Sequence, residues 1–278
     1  MNKNIMLHHT NATSDDLAGN HGIGRYILLP GSDGRAKNIA EHFNQLTVKT
    51  HDRGHHLYLG TITSGKKTID VATVASGMGC PSMEIILHEL FHLGGKRFLR
   101  VGTAGSLQPN MVKIGDIINV QASVRDEHTT LDYMPIAIPA IASIAFNIAI
   151  SDSIHKLGLS NHAHTGIVHC KSSLYAREFG AGPNAKKNKL YVDSLTRCGV
   201  LASEMETSAL FIQSQFYNYQ LALQGQGPTH RVLSGAILGV NSMAPNQFST
   251  QKEETNIENH LIMLALKSIK TLAENEGV

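Results

Sequence analysis

Two periods of hydrophobic and polar positions take turns along the chain. Tyr26–Leu29 is an unbroken apolar run closed by Pro30-Gly31, which predicts a short buried strand and a turn. Ser32–Phe43 then carries helical spacing. Leu57–Thr63 and Thr68–Ala75 are rich in β-branched residues and flank Ser64-Gly65-Lys66-Lys67, the signature of a hairpin. Pro81 opens a helix with Met83, Ile86, Leu87, Leu90 and Phe91 on one face, and Gly94-Gly95 stops it. Phe98–Val101 predicts a buried strand entering Gly102-Thr103-Ala104-Gly105, whose glycines have a tight turn as their plain structural reading.

The second half repeats the alternation. Ile117–Val120 predicts a strand. Pro139 starts a helix that would turn Ile141, Ile144, Ile148 and Ile154 inward and stop at Gly158. Asn188–Arg197 predicts a helix ended by Gly199. A strand at Val200–Ala202 leads into Glu204-Met205-Glu206 and a helix to about Tyr219. Val232–Val240 is a long apolar strand, and Asn256–Leu272 is a closing helix with Ile257, Leu261, Leu264 and Leu272 on one face. The loosest internal stretch, Gln224–Pro228, is too short to join independent domains. Strands alternating with helices and no internal repeat predict an α/β fold, with one domain spanning residues 1–278 and a mixed central sheet flanked by helices.

Composition narrows the class. Hydrophobic residues make up 42% of the 278 and charged residues 17%, enough for a substantial core. A net charge of +2 gives no diffuse cationic face, so nucleic acid is not an expected partner. The longest apolar stretch, Ile136–Ile150, is broken by Pro139, Ser143 and Asn147, and the first four residues lead into no apolar signal core; a cytoplasmic protein is expected, without a membrane partner. The cysteines at 80, 170 and 198 are scattered and read as reduced thiols. His88–His92 spells the HExxH zinc pattern, but Leu87, Leu90, Phe91 and Leu93 crowd it and no third ligand follows, so no metal is expected.

Candidate chemistry lies at the carboxyl ends of strands, where α/β proteins bind ligands. Gly31 and Arg35 follow the first strand, Ser76-Gly77-Met78-Gly79 follows Ala75, and Glu204-Met205-Glu206 follows Val200. Each has a purely structural reading: glycines make tight turns, and glutamates complement a helix N-terminus. Arg100 is harder to dismiss, because a guanidinium among Phe98, Leu99 and Val101 needs an anionic partner. Together these residues suggest a pocket with cations at one end and carboxylates at the other, suited to an anion and a polyol.

Pro30-Gly31-Ser32-Asp33-Gly34-Arg35, Leu99–Gly105 and Ser203-Glu204-Met205-Glu206-Thr207-Ser208-Ala209 resemble, in order and spacing, three signatures of the trimeric and hexameric nucleoside phosphorylases. The resemblance runs from His9 to the last helix and implies the nucleoside phosphorylase-like fold. It further implies that phosphate attacks C1′ of a nucleoside while the base departs. Gly31, Arg35, Arg100 and Thr103 would hold phosphate, with Arg53 reaching in from a neighbouring subunit. Glu206 would take the ribose hydroxyls with Met205 packed on the sugar, and the neighbour's His9 would meet the 5′-hydroxyl. Arg100, Thr103 and Glu206 would be the catalytic groups, inorganic phosphate the co-substrate, and no other cofactor needed. Because His9 and Arg53 would serve an adjacent pocket, the resemblance also implies a homo-oligomer built from dimers, a hexamer in the family.

The base is the open point. Purine enzymes of the family carry a Ser-Asp pair after the Val232–Val240 strand, where this chain has Asn241-Ser242, and a serine hydroxyl does not supply a proton as a carboxylic acid does. Uridine enzymes carry a Gln-x-Arg pair. In the frame Lys171–Gly180, Glu178 stands where Gln is expected and Gly180 where Arg is expected, leaving Arg177 or Phe179 as substitutes. Gly105, Leu174, Arg177, Glu178 and Ser242 are the expected base-binding residues. Uridine or another pyrimidine nucleoside is the favoured substrate; a purine phosphorylase, a nucleosidase of the same fold and a non-catalytic nucleoside-binding protein are the alternatives.

Overall fold

The structure is a computed structural model in which residues 7–227, 230–243 and 247–278 are described. The first residues expected to lack a signal core, and Pro228 of the loose stretch, lie outside the described residues. In chain order the elements are α1 (Ser14–Leu17), β1 (Tyr26–Pro30), α2 (Asp33–Ala40), β2 (Asn44–Lys49), β3 (Leu57–Ser64), β4 (Lys67–Val74), α3 (Cys80–His92), β5 (Arg97–Ser106) and β6 (Ile117–Asp126). They continue with β7 (Ala140–Ile141), α4 (Ile144–Lys156), β8 (Ala163–Lys171), α5 (Leu174–Glu178), α6 (Ala185–Arg197), β9 (Ala202–Glu204), α7 (Thr207–Leu223), β10 (Leu233–Met243), β11 (Gln247–Phe248) and α8 (Gln251–Asn275).

The strands form one mixed sheet, ordered β11-β10-β6-β8-β9-β5-β1-β4-β3-β2, with β7 appended to β6. Because β10 also pairs with β5 in parallel, the strands β5, β10, β6, β8 and β9 close into a ring, and β1, β4, β3 and β2 extend from it. Side chains leave the two faces by strict alternation. Ile27 and Leu29 of β1 join Met83, Leu87, Leu90, Leu210 and Phe211 from α3 and α7. Tyr26 and Leu28 join Ile39, Phe146, Ile150, Leu261 and Ile269 from α2, α4 and α8. A strand covered on both faces reads as a continuous apolar run, which is why β1 was legible.

Three expectations need correction. The helix after Pro139 begins only at Ile144, because Ala140 and Ile141 extend to pair with Ser123 and Ala122 of β6. Its buried face is Phe146, Ala149, Ile150, Ser153 and Ile154, whereas Ile141, Ile144 and Ile148 are exposed by 49, 77 and 51%. Phe146 and Ile150 pack with Ile237 of β10 and Leu261 and Ile269 of α8, and those tertiary contacts select this phase over the isoleucine stripe.

Gly102–Gly105 is not a turn. It is the second half of β5, with Gly102, Thr103 and Ala104 in register with Leu238, Gly239 and Val240 of β10. The strand expected at Val200–Ala202 sits two residues later, as β9. A strand absent from the sequence reading, β8, lies parallel to β6. Its polar composition hid it: His169 is fully buried and satisfied by Asp126 Oδ2 at 2.8 Å and Ser203 Oγ at 3.0 Å.

β5 changes partner along its length. Arg97–Val101 pairs with β1, and Gly105–Ser106 pairs with β9. Between them β5 has no neighbour on that side. The ladder parts there, and ligands of α/β proteins bind at such partings.

Candidate active site

A cavity of about 230 Å³ occupies the parting. Gly31 and Arg35 reach it from the β1–α2 junction, Gly77 and Met78 from the end of β4, and Arg100, Gly102, Thr103, Ala104 and Gly105 from β5. Ser203, Glu204, Met205 and Glu206 come from the β9–α7 junction, and Asn241 and Ser242 from β10. Lys171, Leu174, Glu178 and Phe179 supply the wall around α5, and Phe248 completes it from β11.

Local backbone chemistry places the arginines. Ser32 caps α2, its Oγ accepting the Arg35 N–H at 3.4 Å, so Arg35 stands one turn inside the helix. Its Nη1 donates to the Val101 carbonyl at 3.3 Å, the point where β1 stops pairing, and its Nε lies 3.9 Å from Glu258 without a hydrogen bond. Arg100 folds over Gly102: a Cβ at residue 102 would come within 2.7 Å of Nη2 and 2.8 Å of Cζ. The missing side chain is therefore a matter of close approach rather than of chain reversal.

The two glutamates divide the work that the sequence left undivided. Glu204 is the structural one, accepting the N–H of Glu206 at 2.9 Å and that of Thr207 at 2.9 Å, and thereby capping α7. Glu206 turns to the cavity, where its Oε1 accepts the Gly79 N–H at 2.5 Å. Arg100 sits between them, with Nε donating to Glu204 at 3.1 Å and Nη2 donating to Glu206. Cation and carboxylates are thus in direct contact, not at opposite ends as expected. Nη1 of Arg100 and Nε of Arg35 are buried without a hydrogen-bond partner in the chain.

The electrostatics follow from this packing. Burial opposes the Arg100 charge, but Glu206 and Glu204 outweigh it and raise its pKa. Burial alone would also neutralise Glu204, yet Arg100 and the Thr207 donors hold its carboxyl below the ordinary range. One guanidinium does not neutralise two carboxylates, so burial, with Glu204 adding repulsion, lifts Glu206 above the ordinary range despite Arg100. Arg35 is pushed down by burial and by the neighbouring Arg100 charge, against the pull of Glu258. With carboxylates of Glu204 and Glu206 around Arg100, it is the unmatched guanidinium donors rather than a net positive charge that suit this end of the cavity to an anion.

Of the expected site residues, Gly31, Arg35, Arg100, Thr103, Gly105, Leu174, Glu178, Met205, Glu206 and Ser242 line this one cavity. Arg177 does not. Its Nε and Nη2 pair with Asp126 at 2.8 Å each, Nη1 donates to Asn188 at 2.8 Å, and the guanidinium lies 4.8 Å from the Tyr191 ring centre. The carboxylate captures it in a fork-to-fork pair that joins α5, α6 and β6. His9 and Arg53 also lie off their own chain's cavity. Glu89 of α3 gathers the His9 ring at 2.9 Å and the backbone N–H groups of His8, His9 and Thr10. That spends the glutamate of the HExxH string, and His88 Nδ1 is bonded to the Tyr217 hydroxyl at 2.7 Å. Phe179, the other substitute beside Arg177, does line the cavity, and Lys171, Met78, Asn241 and Phe248 are lining residues outside the expected set. Lys171 had one readable signal, its place at the end of an unrecognised strand; Phe248, on a two-residue strand, had none.

The thiols of Cys80 and Cys170 are free and buried, 3.5 Å apart, and Cys198 is exposed. Among the described residues no helix is long and apolar enough to cross a membrane.

Comparison with known proteins fits this geometry. The chain is 30% identical to uridine phosphorylase of Treponema pallidum (strain Nichols) over 266 residues, 92% of each protein. It is 24% identical to uridine phosphorylase of Salmonella typhimurium over 271 residues, 95% of this chain and 97% of the relative. It is also 32% identical to Purine nucleoside phosphorylase DeoD-type of Streptococcus uberis over 244 residues, 85% of this chain and 86% of the relative. The family match covers residues 25–223, from the start of β1 to the end of α7 and so most of the cavity wall, and the chain belongs to the phosphorylase superfamily.

Proposed function

We propose that the protein is an enzyme of nucleoside phosphorolysis, a pentosyl transfer, acting on uridine or a closely related pyrimidine nucleoside. The observation that carries this reading is the pair of guanidinium nitrogens, Arg35 Nε and Arg100 Nη1, left without a hydrogen-bond partner on two side chains that line one cavity with the carboxylate of Glu206. Phosphate seated between the arginines, with the Gly31 N–H and Thr103, attacks C1′. The C1′–O bond forms as the C1′–N bond breaks, and the base leaves with the bonding pair and later takes a proton. Glu206 accepts from the ribose hydroxyls, with Met205 against the sugar. As the sugar develops positive charge its hydroxyls become stronger donors, so this contact tightens in the transition state. No covalent nucleophile is needed; positioning and charge supply the rate.

The base end supports the pyrimidine reading. Ser242 stands where a purine N7 would require an acid, and Glu178, the nearest carboxylate of the α5 wall, is engaged in an ion pair with Lys171 at 2.8 Å. The working form in this reading is a homo-oligomer, built from dimers into a hexamer, in which His9 and Arg53 complete a neighbour's pocket. The reading places the enzyme in pyrimidine salvage in the cytoplasm, with inorganic phosphate as co-substrate and no further cofactor.

Incubation with uridine and phosphate is expected to yield uracil and ribose 1-phosphate in equal amounts. Release of base that ignores phosphate, or activity confined to inosine and adenosine in a parallel panel, overturns the assignment. Mixing inactive Arg100→Ala with inactive His9→Ala protein, after dissociation and reassembly, is expected to restore activity at the mixed sites; no recovery argues against the shared pocket.

A further inference from the structure

β8 ends on a buried cation that the scheme above leaves without a task. Lys171 is 2% exposed; its Nζ donates to Ser203 Oγ at 2.9 Å and lies 3.5 Å from the Glu204 carbonyl. Its third neighbour is Glu178 Oε1, at 2.8 Å in an ion pair without a hydrogen bond, so one ammonium N–H and this carboxylate oxygen stay unmatched. A lysine this deep persists only when paired, and most structural lysines avoid such a place altogether. Both members of the pair line the cavity of Arg35 and Arg100.

The pair faces a space kept open by a glycine. A Cβ at Gly105 would stand 2.9 Å from Ser242 Oγ and 4.0 Å from Glu178 Oε2, so Oε2, the carboxylate oxygen not held by Lys171, borders the bare side of β5. Phe179 and Phe248 stack beside it with ring centres 5.9 Å apart and planes inclined by 22°, giving a flat apolar flank for a planar ring. The result is a donor and an acceptor side by side next to an aromatic wall.

We infer that Lys171 and Glu178 read the base as one unit, selecting heterocycles in which a ring N–H adjoins a carbonyl, and that Lys171 stabilises the departing base. This rests on the phosphorolysis reading above. An N–H of the ring donates to the Glu178 carboxylate while the Lys171 ammonium donates to the adjacent carbonyl oxygen. An amino base such as cytosine offers the reverse polarity, a ring-nitrogen acceptor beside an amine donor. It would set lone pair against carboxylate and amine against ammonium, which is rejection by unmatched polar groups. As the C1′–N bond breaks, the electron pair spreads from the ring nitrogen onto the carbonyl oxygens. A cation at one of those oxygens is therefore bound more strongly in the transition state than in the ground state.

The leaving base itself provides the test. In Lys171→Met, kcat/KM for uridine is expected to fall about 100-fold, the scale for removing one donor aimed at developing charge. The fall for 5-fluorouridine, whose base is the more acidic and leaves more easily, is expected to be only about tenfold, with KM for phosphate within twofold of wild type and partial rescue by Lys171→Arg. Equal losses on the two nucleosides, or none, would overturn the assignment, since a lysine that merely supports the fold does not distinguish leaving groups. Glu178→Gln, at a side chain partly open to solvent, covers the case in which Lys171→Met does not fold. Its rotatable amide should lower the preference for uridine over cytidine at least tenfold, and an unchanged ratio would refute paired reading. Wild-type protein that fails to split uridine with phosphate would sink the phosphorolysis reading instead, so the two failures are distinct.

Discussion

Arg97 and Arg100 stand one helical-looking interval apart on the same strand, both almost fully buried, and their surroundings differ in kind. Arg97, at the amino end of β5, spends every nitrogen. Nε and Nη2 donate to Glu276 at 2.9 and 2.6 Å, and Nη1 donates to the Arg231 carbonyl at 2.7 Å. Tyr26 donates to the same carboxylate at 2.8 Å, so the end of the chain beyond α8 is fastened to the sheet. Arg100, at the parting of the ladder, meets two carboxylates and still has Nη1 unpartnered. A buried guanidinium whose donors are all matched is a staple. One with a donor to spare beside a cavity is a binding group. The sequence Arg-Phe-Leu-Arg is silent about which is which, because the difference lies wholly in what the fold brings to each end of the strand.

That contrast can be broken at either arginine. The largest effect is expected from Arg100→Ala, with phosphate-dependent kcat/KM falling about 10³-fold in steady-state assays and nucleoside binding changing far less. A loss below tenfold would put Arg100 with Arg97 among the staples. Arg97→Met is expected to cost about 3 kcal/mol of stability in urea titration, the scale for removing one partner of a buried pair, with KM for phosphate within twofold of wild type. A milder probe is Gly102→Ala. The new methyl meets Arg100 Nη2 at 2.7 Å and Leu238 Cδ2 at 2.9 Å, so the guanidinium must shift, and kcat/KM for phosphate should drop about tenfold without loss of the folded circular dichroism spectrum.

The smallest effect concerns pH. Glu206 ordinarily titrates near 4.5, and burial beside Glu204 raises that value in the folded chain. The folded state therefore holds the proton more tightly than the unfolded one. As pH rises from 4.5 through the raised value, this group's contribution to stability declines while the carboxylate that grips ribose accumulates. Activity and melting temperature should move in opposite directions across that window, and Glu206→Gln should flatten both trends. Parallel movement would mean that Glu206 is ionised throughout.

Where local pattern carried the information, the elements were legible. β1 and the β3–β4 hairpin announce themselves by apolar or β-branched runs bounded by turns, and α3 and α8 by a single apolar stripe. α4 misled because two apolar faces compete on it, and only packing against β10 and α8 chose Phe146 and Ile150 over Ile144 and Ile148. β8 was invisible because its interior end is polar and becomes tolerable only when Asp126, Ser203 and Glu178 arrive from elsewhere. The cavity followed the motifs well at Gly31, Arg35, Arg100, Thr103 and Glu206. It followed them poorly around α5, where Arg177 is taken by Asp126 and Lys171 occupies the wall instead.

By itself the chain determined its class of architecture, the apolar strands at the centre of the sheet and the short strings that would meet around an anion and a sugar. These are written in neighbouring residues: periodicity, turn formers and motifs need no distant contact to be read. Tertiary structure decided which face of α4 is buried, which arginine is a fastening and which a ligand group, which glutamate caps α7, and what meets the base. Each of those outcomes turns on whether a buried polar group finds its partner across the fold. The desolvation that makes such partners obligatory acts through space, between residues that the sequence holds far apart.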